Sequence, residues 1–295
     1  MPCGQPWRRS PEPWLSRLRL LIAYPYLNAK AVDGIARMGS AVELMVDSGA
    51  FTAWQSGRPI VLQEYIAFLK ALPVRPHMYV ALDVIGDPVR TRQNYLEMRA
   101  QGLQPVPVWT RGDSPDALAE YASTSPVVCI GGLVRKGQTP VPYLMRMRDH
   151  LAKQAVHLLG VNRLSVLKAL RPYSCDSSNY TGALRYGRCE LHIGGGVLQA
   201  FQRSNLVGRI SPAIASGIAR LGYDIADLRK DGSWRGGRSL AARITVASHV
   251  AVSAQVRANL GTRMYLSGSV DLNMVWNEYS RLRGRLPAEP EDACV

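Results

Sequence analysis

The 295-residue sequence predicts an α/β protein: a (β/α)8 TIM-like barrel over residues 18–196, followed by a basic, mainly helical C-terminal extension over 197–285. Three observations carry that prediction. Short apolar runs alternate with segments of helical hydrophobic spacing, which is the pattern of parallel strands joined by helical crossovers. Eight such runs lie between Leu18 and Gly196, the number that closes a barrel. Asp47, Asp83, Arg111, Gly131-Gly132, Gly160 and Asp176 all fall at or just beyond the carboxyl ends of those runs. A barrel gathers such ends on one face, and that face carries the active site. An open doubly wound sheet is the competing architecture.

Taken in order, Leu18 to Tyr24 (LRLLIAY) is an apolar run stopped by Pro25 and reads as a first strand. Lys30 to Met38 has helical spacing and is closed by Gly39. Glu43 to Val46 is a second strand, ending in Asp47-Ser48-Gly49-Ala50-Phe51. A helix over Leu62 to Leu72 stops at Pro73, and Met78 to Leu82 is a third strand ending in Asp83. Pro88 to Gln101 predicts a helix with Pro in its first turn and Gly102 just past its end. Pro105 to Trp109 is a fourth strand, Pro115 to Ala122 a helix, and Val127 to Ile130 a fifth strand ending in Gly131-Gly132. Pro140 to Lys153 reads as a helix, Val156 to Leu159 as a sixth strand ending in Gly160, and Leu164 to Leu170 as a helix. Tyr173 to Cys175 is a brief seventh strand and Glu190 to Ile193 an eighth, ending in Gly194-Gly195-Gly196. Beyond that point strand signals fade. Ile210 to Leu221, Leu240 to Asn259 and Val270 to Leu282 have helical texture, interrupted by the Arg- and Gly-rich stretch 229–238. Residues 1–17 read as a loose arm and 286–295 as a frayed tail.

Composition narrows the function classes. Lys and Arg number 36 against 22 Asp and Glu, a net charge of +14, which points to a polyanionic partner. The five cysteines (3, 129, 175, 189, 294) show no CxxC spacing, so neither a disulfide framework nor a zinc ribbon is indicated, and a cytoplasmic setting fits. No stretch reaches the roughly 18 apolar residues of a membrane span, and residues 1–17 lack the apolar core of a secretory signal.

The chemistry centres on Tyr173-Ser174-Cys175-Asp176-Ser177-Ser178-Asn179-Tyr180, which sets one carboxylate among small hydroxyl and amide side chains. By itself the stretch also reads as a turn, because such residues hydrogen-bond their own backbone. Three carboxylates at strand ends suit glycosidic chemistry, one as nucleophile on the anomeric carbon and another as proton carrier. The same trio also suits a divalent metal, and a metal-dependent barrel hydrolase is the rival reading.

Six blocks then add up to a resemblance: Asp47-Ser48-Gly49-Ala50-Phe51, Leu82-Asp83, Val106 to Gly112, Ile130-Gly131-Gly132-Leu133, Leu158-Leu159-Gly160-Val161 and Cys175-Asp176-Ser177-Ser178. In order and spacing they resemble the motifs of the tRNA-guanine transglycosylase superfamily, over roughly half the chain. The resemblance implies a barrel enzyme that exchanges guanine in a polynucleotide for a 7-deazaguanine base, the chemistry of queuosine-type modification. It implies Asp176 as the nucleophile on C1′ and Asp47 as general acid/base. Asp83 would accept hydrogen bonds from the purine edge, and Gly132 and Leu133 would offer backbone to its exocyclic groups. Ser48, Gly49, Phe51, Gly131 and Gly160 join them as substrate-contacting positions. Trp109 and Arg111 occupy the place where the tRNA enzymes have a base-reading glutamine.

The tRNA enzymes also carry a Cys-x-Cys-x-x-Cys cluster with a later His after the barrel, and this chain has only Cys189 and His192 there. Such a compact chain is similar to the DNA-modifying branch of bacteriophages and bacterial modification clusters. The resemblance therefore implies DNA as the polymer, tRNA as the alternative, a free 7-deazaguanine as co-substrate, and neither cofactor nor metal. If phage-encoded, the protein would work in the bacterial host cytoplasm. Arg185, Arg188, Arg235 and Arg238 are candidate phosphate contacts.

Overall fold

The computed structural model describes residues 17–110, 112–133, 141–178, 180, 187–207, 210–267 and 271–283. The expected tail, all of the arm but Arg17, Arg111 and Arg185 lie outside the described residues. In chain order the strands are β1 (Leu18–Ala23), β2 (Val42–Asp47), β3 (Met78–Tyr79), β4 (Val108–Thr110), β5 (Val128–Gly131), β6 (Val156–Leu158), β7 (Ser174–Ser177), β8 (Cys189–Gly194), β9 (Val197–Phe201) and β10 (Arg263–Ser267).

Eight of them form one curled parallel sheet in the order β3-β2-β1-β10-β7-β6-β5-β4, flanked by helices. Its strands are rich in apolar residues, as expected where both faces are covered; Leu20, Met45, Cys129, Ile130 and Leu158 have no exposed surface. The two end strands also approach each other. Val80 and Val106, just after β3 and just before β4, form a parallel bridge in which Ala81 N donates to Val106 O at 2.9 Å and Val106 N to Tyr79 O at 2.8 Å.

The crossover helices begin where the sequence provides caps. Asn28 Oδ1 accepts from Ala31 N at 3.0 Å and starts the helix Ala29–Met38. Asp87 and Ser114 do the same for Pro88–Ala100 and Pro115–Thr124, each with Pro at the first helical position, where a missing N–H costs nothing. Tyr65, on the helix Leu62–Ala71, donates its hydroxyl to Val80 O at 2.9 Å and so ties that helix to the sheet.

At the amino end of the strands, Glu43 on β2 is a buried charge hub. Its Oε1 lies 3.5 Å from Arg19 Nε on β1 and 3.6 Å from Arg263 Nε on β10, and it accepts the Tyr265 hydroxyl. Nearby, His77 Nε2 and the Tyr173 hydroxyl are 3.1 Å apart, joining the chain just before β3 to the chain just before β7.

The sequence expectation of an eighth barrel strand at Glu190–Ile193 is corrected here. That segment lies in β8, which pairs antiparallel with β9 in a separate two-stranded sheet, and the strand between β7 and β1 is β10. In β8 the fully buried Cys189 and Leu191 alternate with the polar Glu190 and His192, the pattern of a sheet packed on one face. The chain also divides into two compact units. One comprises Arg19–Ser178 with Thr262–Leu272; the other comprises Met1–Leu18, Asn179–Gly261 and the segment from Asn273.

Within this second unit the helix Leu240–Leu260 packs on β8. His249 Nε2 lies 2.6 Å from Glu190 Oε2, and Thr245 Oγ1 accepts from Glu190 N at 3.1 Å. Glu278, itself buried, holds Arg243, Arg281 and the Tyr223 hydroxyl. No helix of the described residues is long and apolar enough to cross a membrane.

Candidate active site at the carboxyl ends of the parallel strands

Asp47 is the last residue of β2, and the chain then turns abruptly into the short helix Ala50–Ser56. Gly49 makes that turn at φ 84°, in the left-handed region, where a Cβ would sit 2.6 Å from Pro25 Cδ. Its N–H donates to Asp47 Oδ2 at 3.0 Å and fixes the carboxylate at the strand end. The buried Ser48 hydroxyl donates to Asp83 Oδ1 at 2.9 Å and accepts from Ala50 N at 3.2 Å. Asp83 follows β3, and its loop is pinned from the helix Pro88–Ala100. Asn94 Nδ2 donates to Leu82 O at 2.9 Å, and Thr91 Oγ1 accepts from Val84 N at 2.9 Å.

Asp176, on β7, is held differently. Gly160 N, in the loop after β6, donates to its Oδ1 at 2.7 Å, and His157 Nε2 on β6 stands 3.3 Å from the same oxygen. Asp176 Oδ2 has no hydrogen-bond donor among the described residues.

The electrostatics separate these groups. Burial pushes the Asp47 carboxyl from its ordinary 3.8 to about 7, reinforced by the Asp83 charge and more weakly by Asp176, against the Gly49 amide. Asp47 keeps part of its surface open, so crowding by surrounding protein, rather than full enclosure, is what desolvates it. Burial also raises Asp83, with the Ser48 hydroxyl acting in the opposite direction. Cys129 on β5 and Tyr65 are pushed well up, first by burial and then by the charges of Asp47 and Asp83, so both stay protonated beside the cluster.

The structure thus brings together Asp47, Ser48, Gly49, Asp83, Gly160 and Asp176. Gly131 ends β5, and a Cβ there would meet Val108 Cγ1 at 3.0 Å and Thr110 Cγ2 at 3.5 Å, so its lack of a side chain lets β4 pack closely against it. Gly132 is exposed at φ 66°, and Leu133 is buried behind it. Phe51 stands 45% exposed on the helix after Asp47, with the 62% exposed Trp54 ring 6.0 Å away.

Trp109, an expected substrate contact, has its ring buried and stacked on Tyr143, and its indole N–H donates to Ser114 O at 2.9 Å. Arg188, Arg235 and Arg238 belong to the other unit, where all three are exposed. Sequence reasoning missed His157, whose signal was a lone imidazole inside the apolar run Val156-His157-Leu158-Leu159. A buried polar group of that kind requires partners.

Cys189 and His192 lie buried on β8. Among the described residues no group of three His, Cys, Asp or Glu side chains is arranged to hold a metal ion. Comparisons with protein-family models, curated proteins and solved structures gave no match.

Proposed function

We propose that this chain is a base-exchanging transglycosylase that replaces guanine in DNA with a 7-deazaguanine base through a covalent Asp176 glycosyl-enzyme. One observation carries the reading: two carboxylates at one end of a parallel sheet are held in opposite ways. Burial holds the Asp47 carboxyl at about 7, which suits a proton carrier, while Asp176 has one oxygen tied to backbone and the other without a donor among the described residues, which suits a nucleophile. The finer architecture belongs to the same proposal: the curled sheet is a closed (β/α)8 barrel with a C-terminal extension. The Val80–Val106 bridge and the His77–Tyr173 contact support closure.

In the first displacement Asp176 Oδ2 forms a bond to C1′ as the C1′–N9 bond breaks, and protonated Asp47 supplies the departing guanine with its proton. In the second, N9 of the incoming deazaguanine attacks C1′, the C1′–Oδ2 pair returns to the carboxylate, and Asp47 takes the N9 proton. Two inversions give retention, and Asp47 ends as it began. Asp83 accepts from the purine edge. The net charge of +14 favours the polyanion. Reaching C1′ in a duplex requires flipping the nucleotide, typically a cost of a few kcal/mol.

The test is incorporation of labelled guanine into duplex DNA, single-stranded DNA and bulk tRNA, with wild type beside Asp176→Ala. Label in DNA that Asp176→Ala abolishes, with nucleic-acid binding retained, is the expected result. Label only in tRNA moves the substrate to the alternative polymer. Exchange that survives in Asp176→Ala overturns the mechanism.

A further inference from the structure

His157 is wholly enclosed, yet both of its ring nitrogens face polar groups in the first unit. Its strand β6 pairs with β7 so that His157 lies opposite Ser174, two residues before Asp176 on the same face of β7. Nδ1 is 2.8 Å from Ser174 Oγ, and Nε2 is 3.3 Å from Asp176 Oδ1, the oxygen that also accepts from Gly160 N. The Tyr265 ring covers the imidazole edge-on at a centroid distance of 6.1 Å. At present Nε2 lacks an aligned acceptor, although Asp176 stands within ion-pair distance.

We propose that His157 is a positioning residue for Asp176: the Ser174 hydroxyl donates to Nδ1, fixes the proton on Nε2, and Nε2–H with Gly160 N–H forms a two-donor cradle for Oδ1. This inference rests on the transglycosylase reading for its functional consequence. The tautomer follows from the inventory of donors. Nε2 faces a carboxylate oxygen, an acceptor, and so carries the proton; Nδ1 then accepts, and the Ser174 hydroxyl beside it, which can donate or accept, donates.

The cradle acts at a definite step. While Asp176 is esterified to C1′ through Oδ2, Oδ1 is a neutral carbonyl oxygen and its two donors are weakly used. As the incoming base attacks and the C1′–Oδ2 bond breaks, the electron pair returns to the carboxylate and negative charge grows on Oδ1. Donors already aimed at that oxygen stabilise the charge as it develops. His157 therefore speeds release of the sugar from the enzyme more than its capture, and it keeps Oδ2 turned outward for the next attack.

Two measurements on the full chain test this. The first is the ¹⁵N shift pattern of histidine-labelled protein, in which the wild type should show the Nε2–H tautomer of His157 and Ser174→Ala should mix the two forms. A resting proton on Nδ1 overturns the proposal whatever the enzyme's activity. The second compares His157→Phe, His157→Gln and Ser174→Ala in guanine exchange and in trapping of the covalent nucleic-acid adduct. His157→Phe should lose roughly 10- to 100-fold in kcat, the range expected for a hydrogen bond to a charged group, with KM for the polynucleotide falling alongside so that kcat/KM changes little. The trapped adduct fraction should rise. His157→Gln, which keeps an N–H near Nε2, should recover most of the rate. Ser174→Ala, the mildest change, guards against a His157→Phe chain that does not fold. Adduct falling in step with kcat signals a merely damaged site and overturns the inference, as does wild-type turnover in His157→Phe. A wild-type chain that neither exchanges nor forms adduct refutes the transglycosylase reading itself, and the kinetic role of His157 falls with it.

Discussion

Replacing Asp47 by Asn separates what this carboxyl does for catalysis from what it costs the fold. Its carboxyl is raised from 3.8 to about 7, so the folded protein holds the Asp47 proton more tightly than the unfolded chain does. Between about pH 4 and pH 7 the native state therefore binds more protons, and its stability falls as pH rises through that window. A shift of about 3 units at about 1.4 kcal/mol each amounts to roughly 4 kcal/mol once the pH exceeds 7. That figure is an upper value, because the charges of Asp83 and Asp176 relax together with Asp47. Asn is neutral at every pH and retains an oxygen for the Gly49 N–H that Asp47 Oδ2 now accepts. Urea unfolding at pH 4.5 and pH 8 should thus find Asp47→Asn close to wild type at the lower pH and more stable by a few kcal/mol at the higher, while guanine exchange is lost. A stability difference that does not change with pH refutes the electrostatic account of this site.

Three further perturbations have expected outcomes. Gly49→Ala forces a side chain into a left-handed turn against Pro25, and a loss of roughly 1–3 kcal/mol in urea unfolding is expected; an unchanged midpoint contradicts the turn geometry. Glu43→Ala leaves the guanidiniums of Arg19 and Arg263 and the Tyr265 hydroxyl without their shared acceptor. It should cost about 3–5 kcal/mol, with Glu43→Gln milder, and equal losses in the two variants argue against a charge effect. If Arg235 and Arg238 meet phosphates, replacing both with Ala should lower the slope of log affinity against log salt on duplex DNA by about 0.9 for each. An unchanged slope places the phosphate track elsewhere.

The first seven strands were legible because each is a short apolar run bounded by Pro, Gly or Asp, and their caps and breakers lie in the sequence. Leu164–Leu170 matches the predicted helix residue for residue, and β2 differs from its prediction by one residue at each end. β10 was not legible, since its inward side chains are Arg263 and Tyr265, which meet Glu43 more than 200 positions earlier in the chain. That distant partner, with the Tyr173 ring beneath the Arg263 guanidinium, makes a largely enclosed Arg tolerable in a sheet. β8 misled because its length and apolar content fit a barrel strand, although its polar–apolar alternation pointed to a one-sided sheet. At the site, Asp47, Asp83 and Asp176 could be read from their places at strand ends. The role of His157 depends on the register between β6 and β7, which only the fold supplies.

The placement of β10 also constrains the order of events during synthesis. Ser177 ends β7 and Arg263 begins the strand that pairs with it, so the residues between them must leave the ribosome before the sheet can be completed. Until then β1 and β7 each present an unpaired edge of backbone N–H and C=O groups, the kind of edge that recruits other chains. Chain-closure entropy grows slowly with length, so the delay is chiefly one of time. A nascent or truncated chain that stops before Arg263 would expose both edges at once, and it is the form for which a chaperone would have the most use.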